Sequence, residues 1–125
     1  MSYLDGFVQP LRDEKESDYR QMAEKFAAKA RELGALGVME ALGDGLEHGH
    51  TTDFFRAVQA VDGENVVFSF ILWPSKEARD TAWEKIMADP EMQPQGEMPF
   101  DGKRMFWGGF NPIVDSFNVD GRSAT

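Results

Sequence analysis

The sequence predicts an α+β fold in which a four-stranded antiparallel sheet carries two helices on one face. The strand and helix patterns follow the order strand, helix, strand, strand, helix, strand, which is that of a ferredoxin-like domain. Two segments repeat apolar residues at helical spacing, and one strand segment is apolar at almost every position. The 125 residues are a typical length for one domain. We expect residues 1–115 to form it and residues 116–125 to be a loose C-terminal tail.

The first predicted strand covers Tyr3 to Gln9 and ends at Pro10, because proline has no N–H to donate to a neighbouring strand. The first predicted helix runs from about Glu14 to Leu33, with apolar residues at steps of three and four. Asp13 and Glu16 have the spacing of a capping box, which predicts that the helix starts there.

Gly34 follows the last apolar helical position, and we expect it to adopt the left-handed conformation that ends a helix. A second strand is predicted over Leu36 to Leu42, followed by a long glycine-rich loop from Gly43 to Thr52. The apolar spacing of Phe54 to Val61 partly suits a strand and partly a helical turn. We favour an extended conformation for that segment.

The second half of the chain contains the clearest strand, Val66 to Trp73, which is almost wholly β-branched or aromatic. Ser75 is the predicted cap of a second helix that ends at about Ala88. An irregular connector with three prolines nearby follows, from Glu91 to Gly102. Arg104 to Phe110 is the last predicted strand.

Both faces of the strand from Val66 to Trp73 are mostly apolar, which implies that both faces of the sheet are buried. Two helices can cover only one of them. The simplest cover for the other face is the same sheet of a second copy, so the sequence predicts a homodimer.

Several segments of the chain resemble the YbaA-like family of uncharacterised bacterial proteins. The resemblance extends from Tyr3 to about Asp115 and rests on Tyr3-Leu4-Asp5-Gly6-Phe7, Tyr19-Arg20-Gln21-Met22-Ala23, Arg56-Ala57-Val58, Val66-Val67-Phe68-Ser69, Pro74-Ser75, Arg79-Asp80, Met98-Pro99-Phe100-Asp101-Gly102-Lys103-Arg104-Met105 and Gly108-Gly109-Phe110. It implies a dimeric α+β barrel, a superfamily that also contains small cofactor-free monooxygenases and haem-degrading enzymes. The family has no established activity, so the resemblance implies no catalytic residues.

Charge and composition exclude several classes of function. The chain has 22 acidic and 13 basic residues and a formal charge of −9, which repels nucleic acid and anionic membrane surfaces. The absence of cysteine excludes disulfides, thiolate nucleophiles and cysteine-ligated metal. The first residues lack the basic start and apolar run of a signal peptide, so we expect a cytoplasmic protein with no nucleic-acid or membrane partner.

The loop contains one cluster of residue types that bind metals, namely His48 and His50 with Glu47 and Asp53. Two histidines two residues apart on an extended segment can point to one side. A structural zinc site needs four ligands, and we expect this acidic loop to be solvated instead. The sequence therefore predicts no metal and no cofactor.

Two acidic residues are candidate general bases. Glu40 lies midway along the second strand, where it either faces inward as a base or faces solvent as an ordinary surface residue. Asp101 lies in a predicted Asp-Gly turn that brings Lys103 and Arg104 to the start of the last strand. These two cations would hold a carboxylate or enolate, or would simply be solvated.

Further candidates for ligand contacts are Arg56, as a second cationic position, and the strand residues Ser69, Trp73 and Trp107. Three functional hypotheses follow. The protein binds a small apolar or anionic organic ligand, or it is a cofactor-free monooxygenase or isomerase, or it is an acidic structural or regulatory partner protein.

Overall fold

The structure, a computed structural model, describes residues 2–94 and 96–117. Its elements are β1 (Tyr3–Arg12), α1 (Glu16–Glu32), β2 (Gly37–Leu42), α2 (Phe54–Ala57), β3 (Glu64–Trp73), α3 (Lys76–Ala88) and β4 (Phe106–Phe110). The four strands form one antiparallel sheet in the order β2-β3-β1-β4, so the predicted α+β, ferredoxin-like arrangement is confirmed. Residues 118–125 of the predicted tail lie outside the described residues. In the described part of the chain, no helix combines the length and apolar character needed to cross a membrane.

The main core lies between the sheet and the two long helices. Tyr3, Ile71 and Trp73 are buried there against Ala30 of α1 and Ala82 of α3. Because alanine is small, both helices lie close to the strands. The side chains that remain at the sheet surface beside α1 therefore meet the helix directly, which positions the site described below.

A buried carboxylate joins β1 to α3 within this core. Asp5 is 1% exposed, and its Oδ2 accepts hydrogen bonds of 2.9 Å from the indole N–H groups of both Trp73 and Trp83. Arg79 donates to Asp5 Oδ1 at 2.8 Å, and its guanidinium lies 5.3 Å from the ring centre of Tyr3. The charge is paired and hydrogen-bonded, as a buried carboxylate must be.

The opposite face of the sheet is covered at one end only. Val8 of β1 and Val66 of β3 are buried there beneath Val58, with Leu46 and Phe55 packed at the edge. The expectation that Phe54 to Val61 is extended was wrong, since α2 begins this segment.

The cause of that helix is a cap that the sequence analysis did not use. The Asp53 carboxylate accepts a hydrogen bond of 2.7 Å from the backbone N–H of Arg56, which satisfies a free donor of the first turn. Val58, four residues after Phe54, is fully buried against the sheet. Local capping and burial of one side chain together outweigh the weak strand pattern.

Two predictions at the ends of β1 and α1 were also wrong. Strand β1 continues through Pro10 to Arg12. Pro10 lies opposite Val66, and the carbonyl of Val66 accepts a hydrogen bond from Gly43 on the side of β3 that faces away from β1. The nitrogen of Pro10 therefore points away from β3, towards the β4 side of β1. Because β4 pairs with β1 only as far as Val8, no neighbouring strand needs an N–H from Pro10. No side-chain cap from Asp13 starts α1, which begins after a 3-10 turn.

Other terminal predictions are confirmed. Gly34 has a φ of 114° after α1, a conformation that glycine adopts without steric cost. Ser75 caps α3, since its hydroxyl accepts a hydrogen bond of 3.0 Å from the N–H of Ala78. Such signals are local in sequence, which is why they could be recognised without the structure.

Candidate functional site

A cleft of about 690 Å³ lies between α1, the sheet and the segment that connects α3 to β4. Its floor is polar, because Gln9 of β1, Glu40 of β2 and Ser69 of β3 line it from three neighbouring strands. Its walls are largely apolar and include Phe7, Met22, Phe26, Trp83, Met98 and Phe100. An apolar cavity with a few polar groups on one side is the usual form of a small-molecule site.

The polar groups of the floor form one directed chain of hydrogen bonds. Gln9 Nε2 donates to the hydroxyl of Tyr19 at 2.7 Å, and that hydroxyl donates to Glu40 Oε1 at 2.6 Å. Ser69 also hydrogen-bonds to the Glu40 side chain. Register explains the meeting, since Glu40 pairs directly with Ser69 across β2 and β3, which places both side chains on the helix side. The hydroxyl groups of Tyr19 and Ser69 thus both bind the Glu40 carboxylate, and Gln9 binds Tyr19.

Burial controls the proton affinity of this carboxylate. Although Glu40 is an exposed residue overall, its carboxylate lies among protein atoms, and this burial raises the pKa of Glu40. The hydrogen bonds from Tyr19 and Ser69 act in the opposite direction but do not cancel the effect. Burial likewise raises the pKa of Tyr19, and the nearby charge of Glu40 adds to it. Tyr19 is therefore a hydrogen-bond donor at physiological pH.

A second cleft, of about 570 Å³, lies on the β2 side of α1. Tyr19, Ala23 and Glu40 line both clefts. The Tyr19 and Glu40 pair thus lies between two adjoining clefts beside the helix. The second cleft is edged by charged helix residues, whereas the first has the aromatic and methionine walls that suit an organic ligand.

The structure brings only some of the predicted site residues to the cleft. Glu40 and Ser69 meet on its floor. Trp73 is fully buried in the core, where it donates to Asp5. Trp107 is 63% exposed on the edge strand β4, and Arg56 lies in α2, where its side chain contacts Asp53. Neither Trp107 nor Arg56 lines the cleft.

The predicted cationic turn before β4 is present, but its groups bind one another. Arg104 forms two hydrogen bonds of 2.8 Å with the Glu64 carboxylate and a third of 2.8 Å with Asp101. The bond from Arg104 lowers the pKa of Asp101, which makes that carboxylate a weaker base. Lys103 is exposed, and its backbone N–H donates to Asp101.

In the loop that contains the two histidines, His48 and the backbone of Gly49 both contact the Asp53 carboxylate. His48 Nδ1 lies 3.4 Å from Asp53 Oδ2, and the same oxygen accepts from the N–H of Gly49 at 3.0 Å. Within residues 2–94 and 96–117, no three histidine, aspartate or glutamate side chains come together in a way that would hold a metal ion. The Asp53 carboxylate instead holds the loop and caps α2.

Gln9 and Tyr19 are site residues that were not among the candidates from the sequence. Tyr19 was assigned to the apolar face of a helix, and Gln9 to the end of a strand. A usable signal existed, because Gln9 alternates with the apolar residues Phe7 and Leu11 on one face of a central strand. A polar side chain at such a position needs a partner, and the partner is the hydroxyl of Tyr19.

Comparison with known proteins places the chain in a family. Residues 2–102 match the model of a family described as a protein of unknown function, DUF1428. The chain belongs to the DUF1428 family. The proteins called uncharacterized protein YbaA in Escherichia coli (strain K12) and in Shigella flexneri are each 50% identical to it over 116 residues, covering 92% of this chain and 99% of theirs. The resemblance to the YbaA-like family is thereby confirmed.

The DUF1428 match includes all four residues of the hydrogen-bonded chain on the cleft floor. Among solved structures, Rv0793 from Mycobacterium tuberculosis has a TM-score of 0.49 at 12% identity, covering 94% of this chain and 100% of that one. A de novo designed protein, Foldit4, has a TM-score of 0.45 at 12% identity, covering 90% and 99%. Both similarities are weak, and neither bears on function.

Proposed function

We propose that this DUF1428 protein binds a small, mainly apolar organic molecule in the cleft between α1 and the sheet. The observation that carries the proposal is the combination of aromatic and methionine walls with a floor of three polar side chains. Burial of an apolar ligand supplies affinity, and the few polar groups orient it. A volume of about 690 Å³ is of the size that such ligands occupy.

The charge of the cleft favours a neutral ligand over an anionic one. Glu40 places a carboxylate on the floor, and Glu91 and Glu97 lie along the connector wall. Lys25 lines the same cleft, but its ammonium donates a hydrogen bond of 2.8 Å to the carbonyl of Glu91. An anion that entered fully would approach the Glu40 carboxylate, which costs free energy at short range.

The protein also acts as a homodimer in this proposal, with the second sheet face as its interface. Beyond the end covered by Val58, that face leaves Met39, Phe68, Phe106 and Phe110 exposed, with Met39 at 54% and Phe110 at 57%. Alternation along the paired strands places all four on the same side of the sheet. A contiguous apolar patch of this kind favours burial against another protein surface.

The occupant that fits this face is a second copy of the chain. Along the paired strands the face contains two charged residues, Glu64 and Arg12, which lie opposite each other at the end of β1 and β3, and the Glu64 carboxylate is bound by Arg104. Both charged residues lie at one end of the sheet, so two such faces can meet about a two-fold axis through their apolar residues. A Cβ atom at Gly6 or at Gly108 would lie 3.6 Å from the ring of Phe110. Because both positions are glycine, no side chain rises from the sheet beside this ring.

A second candidate function, proton transfer without a cofactor, is favoured by the state of Glu40. Its raised pKa and its place on the cleft floor are what a general base needs, and the hydroxyl of Tyr19 orients it. In this role Glu40 would remove a proton from a carbon acid such as the C–H beside a ketone. The test measures the rate at which the C–H groups beside the carbonyl of 2-tetralone exchange with deuterium in D2O. Faster deuterium exchange with the wild type than with Glu40→Gln supports proton transfer, and equal rates exclude this role for Glu40.

Ligand binding is tested by amide chemical shifts during titration with 2-naphthol, a neutral apolar molecule that suits the cleft. We expect shifts at cleft residues such as Tyr19, Phe26 and Phe100, with saturation at increasing concentration. The loop around His48 and Arg56, on the other side of the sheet, is the internal control and should not shift. Absence of any shift, or shifts confined to Phe68 and Phe110, would contradict the proposal.

A further inference from the structure

Gln9 has a buried hydrogen-bond acceptor without a partner. Its side chain is 3% exposed and lines the cleft floor. In the part of the chain that the structure describes, Gln9 Oε1 is the one buried side-chain oxygen or nitrogen that makes no hydrogen bond. Buried polar groups of proteins are nearly always paired, so the unpaired acceptor of a residue that lines a cleft is a position where a donor group of a ligand can bind.

The hydrogen-bond chain determines which end of the Gln9 amide is free. The hydroxyl of Tyr19 has one proton, and the ionised Glu40 carboxylate, which can only accept, takes that hydrogen bond at 2.6 Å. The oxygen of Tyr19 must then accept from the N–H of Gln9, as it does at 2.7 Å. Turning the amide over would place the Gln9 carbonyl against an oxygen that has no proton left to donate. The acceptor Oε1 is therefore the atom that remains for a ligand.

We propose that the ligand of this cleft is a neutral aromatic molecule with a hydroxyl or N–H group that donates to Gln9 Oε1. This inference rests on the proposed ligand-binding function and specifies its ligand class. The aromatic part follows from the walls, where the Trp83 ring centre lies 5.6 Å from that of Phe26 and 6.3 Å from that of Phe7. Rings in such a cluster pack favourably against another ring.

The unpaired acceptor of Gln9 should also make the cleft prefer ligands that have a donor group over analogues that lack one. A ligand with a donor pairs with Gln9 Oε1, whereas an analogue of the same shape that has only an ether oxygen leaves that acceptor buried and unpaired. Sites built around a hydrogen bond reject analogues that lack the bonding group more strongly than apolar pockets reject a change in size. A carboxylate analogue places negative charge beside the Gln9 carbonyl and near Glu40, and it should bind more weakly still.

The test compares three probes with one ring system by isothermal titration calorimetry: 2-naphthol, 2-methoxynaphthalene and 2-naphthoate. We expect the wild type to bind 2-naphthol about tenfold or more tightly than either of the others. Binding of all three without preference would overturn this inference and leave the ligand-binding function intact. Binding of none would overturn both.

Two variants assign the preference to Gln9. Gln9→Met keeps the length of the side chain and removes the acceptor, so the preference for 2-naphthol over 2-methoxynaphthalene should fall to about threefold or less. Gln59→Met is the matched control, because Gln59 is exposed and lies outside the cleft, and the preference of this variant should equal that of the wild type. An undiminished preference in folded Gln9→Met would overturn the inference. If Gln9→Met does not fold, the probe comparison on the wild type decides by itself.

Discussion

The hydroxyl of Tyr19 on α1 lies 2.6 Å from Glu40 Oε1 on the edge strand β2. This contact joins the longest helix to the edge of the sheet at the point where two clefts adjoin. Gln9 and Ser69 complete the arrangement from the two central strands. A partly buried carboxylate is thus surrounded by donors, which determines both its chemistry and its effect on stability.

Glu40 should make the stability of the protein depend on pH in a direction opposite to that of most acidic residues. Its folded pKa is raised above the ordinary value of 4.5, so the folded protein binds this proton more tightly than the unfolded chain does. Stability is therefore lost as pH rises from the unfolded pKa through the folded one. Glu40→Gln does not titrate, and we expect its free energy of unfolding, relative to the wild type, to be higher at about pH 7 than at about pH 4.

Urea unfolding at both pH values measures that difference. The remaining acidic groups are common to both proteins, so their contributions largely cancel. Asp101→Asn is a useful comparison, because the bond from Arg104 lowers the pKa of Asp101 and the sign should reverse. A difference between Glu40→Gln and wild type that is constant with pH, or that falls as pH rises, would contradict the assignment.

Asp5→Asn should destabilise the protein strongly. The substitution removes the buried charge that pairs with Arg79 and leaves a guanidinium partly buried without its main partner. Breaking such a pair costs about 3 to 5 kcal/mol of unfolding free energy. Asp80→Asn is the matched control, since Asp80 contacts the same guanidinium at 3.0 Å but its side chain is 44% exposed, and the loss of stability in this variant should be much smaller. Equal losses in the two variants would show that burial is not the cause.

Gly109→Ala should destabilise the sheet through a steric conflict with Tyr3. A Cβ at Gly109 would lie 2.8 Å from two ring carbons of Tyr3, and that ring is buried beneath Arg79. We expect a loss of about 1 to 3 kcal/mol by thermal or chemical unfolding. Gly37→Ala on the opposite edge strand is the control, because nothing lies within 4 Å of its would-be Cβ. A tolerated Gly109→Ala would mean that Tyr3 can move aside.

Phe110→Glu should prevent dimerisation. The substitution places a charge in the middle of the exposed apolar residues proposed as the interface, where burying it costs free energy. Sedimentation velocity should give the wild type twice the 14.1 kDa mass of the chain and the variant a single mass. Trp107→Glu is the control, since Trp107 is also exposed on β4 but faces the helix side. A monomeric wild type, or a dimer that survives Phe110→Glu, would exclude this interface.

Much of the fold could be predicted because its determinants are local. Ser75 and Gly34 mark helix ends through contacts within a few residues, and the apolar run of β3 needs no distant partner to be recognised. Phe54 to Val61 was assigned wrongly because two weak patterns competed and the deciding cap, Asp53, lies just outside the segment. Pro10 was taken as a strand end because its tolerance depends on how far the neighbouring strand β4 extends.

The class of fold, the order of the strands and helices and the family can all be predicted from the residues, because periodicity, capping and local motifs are contained in short stretches of chain. Which of the candidate residues form a site depends instead on the three-dimensional packing of distant segments. Arg104 and Asp101 are bound to each other and to Glu64, while Glu40 and Ser69 meet Tyr19 and Gln9 on the cleft floor. Those partners come from four separate elements, and strand register together with helix packing, rather than any local pattern, brings their side chains within hydrogen-bonding distance.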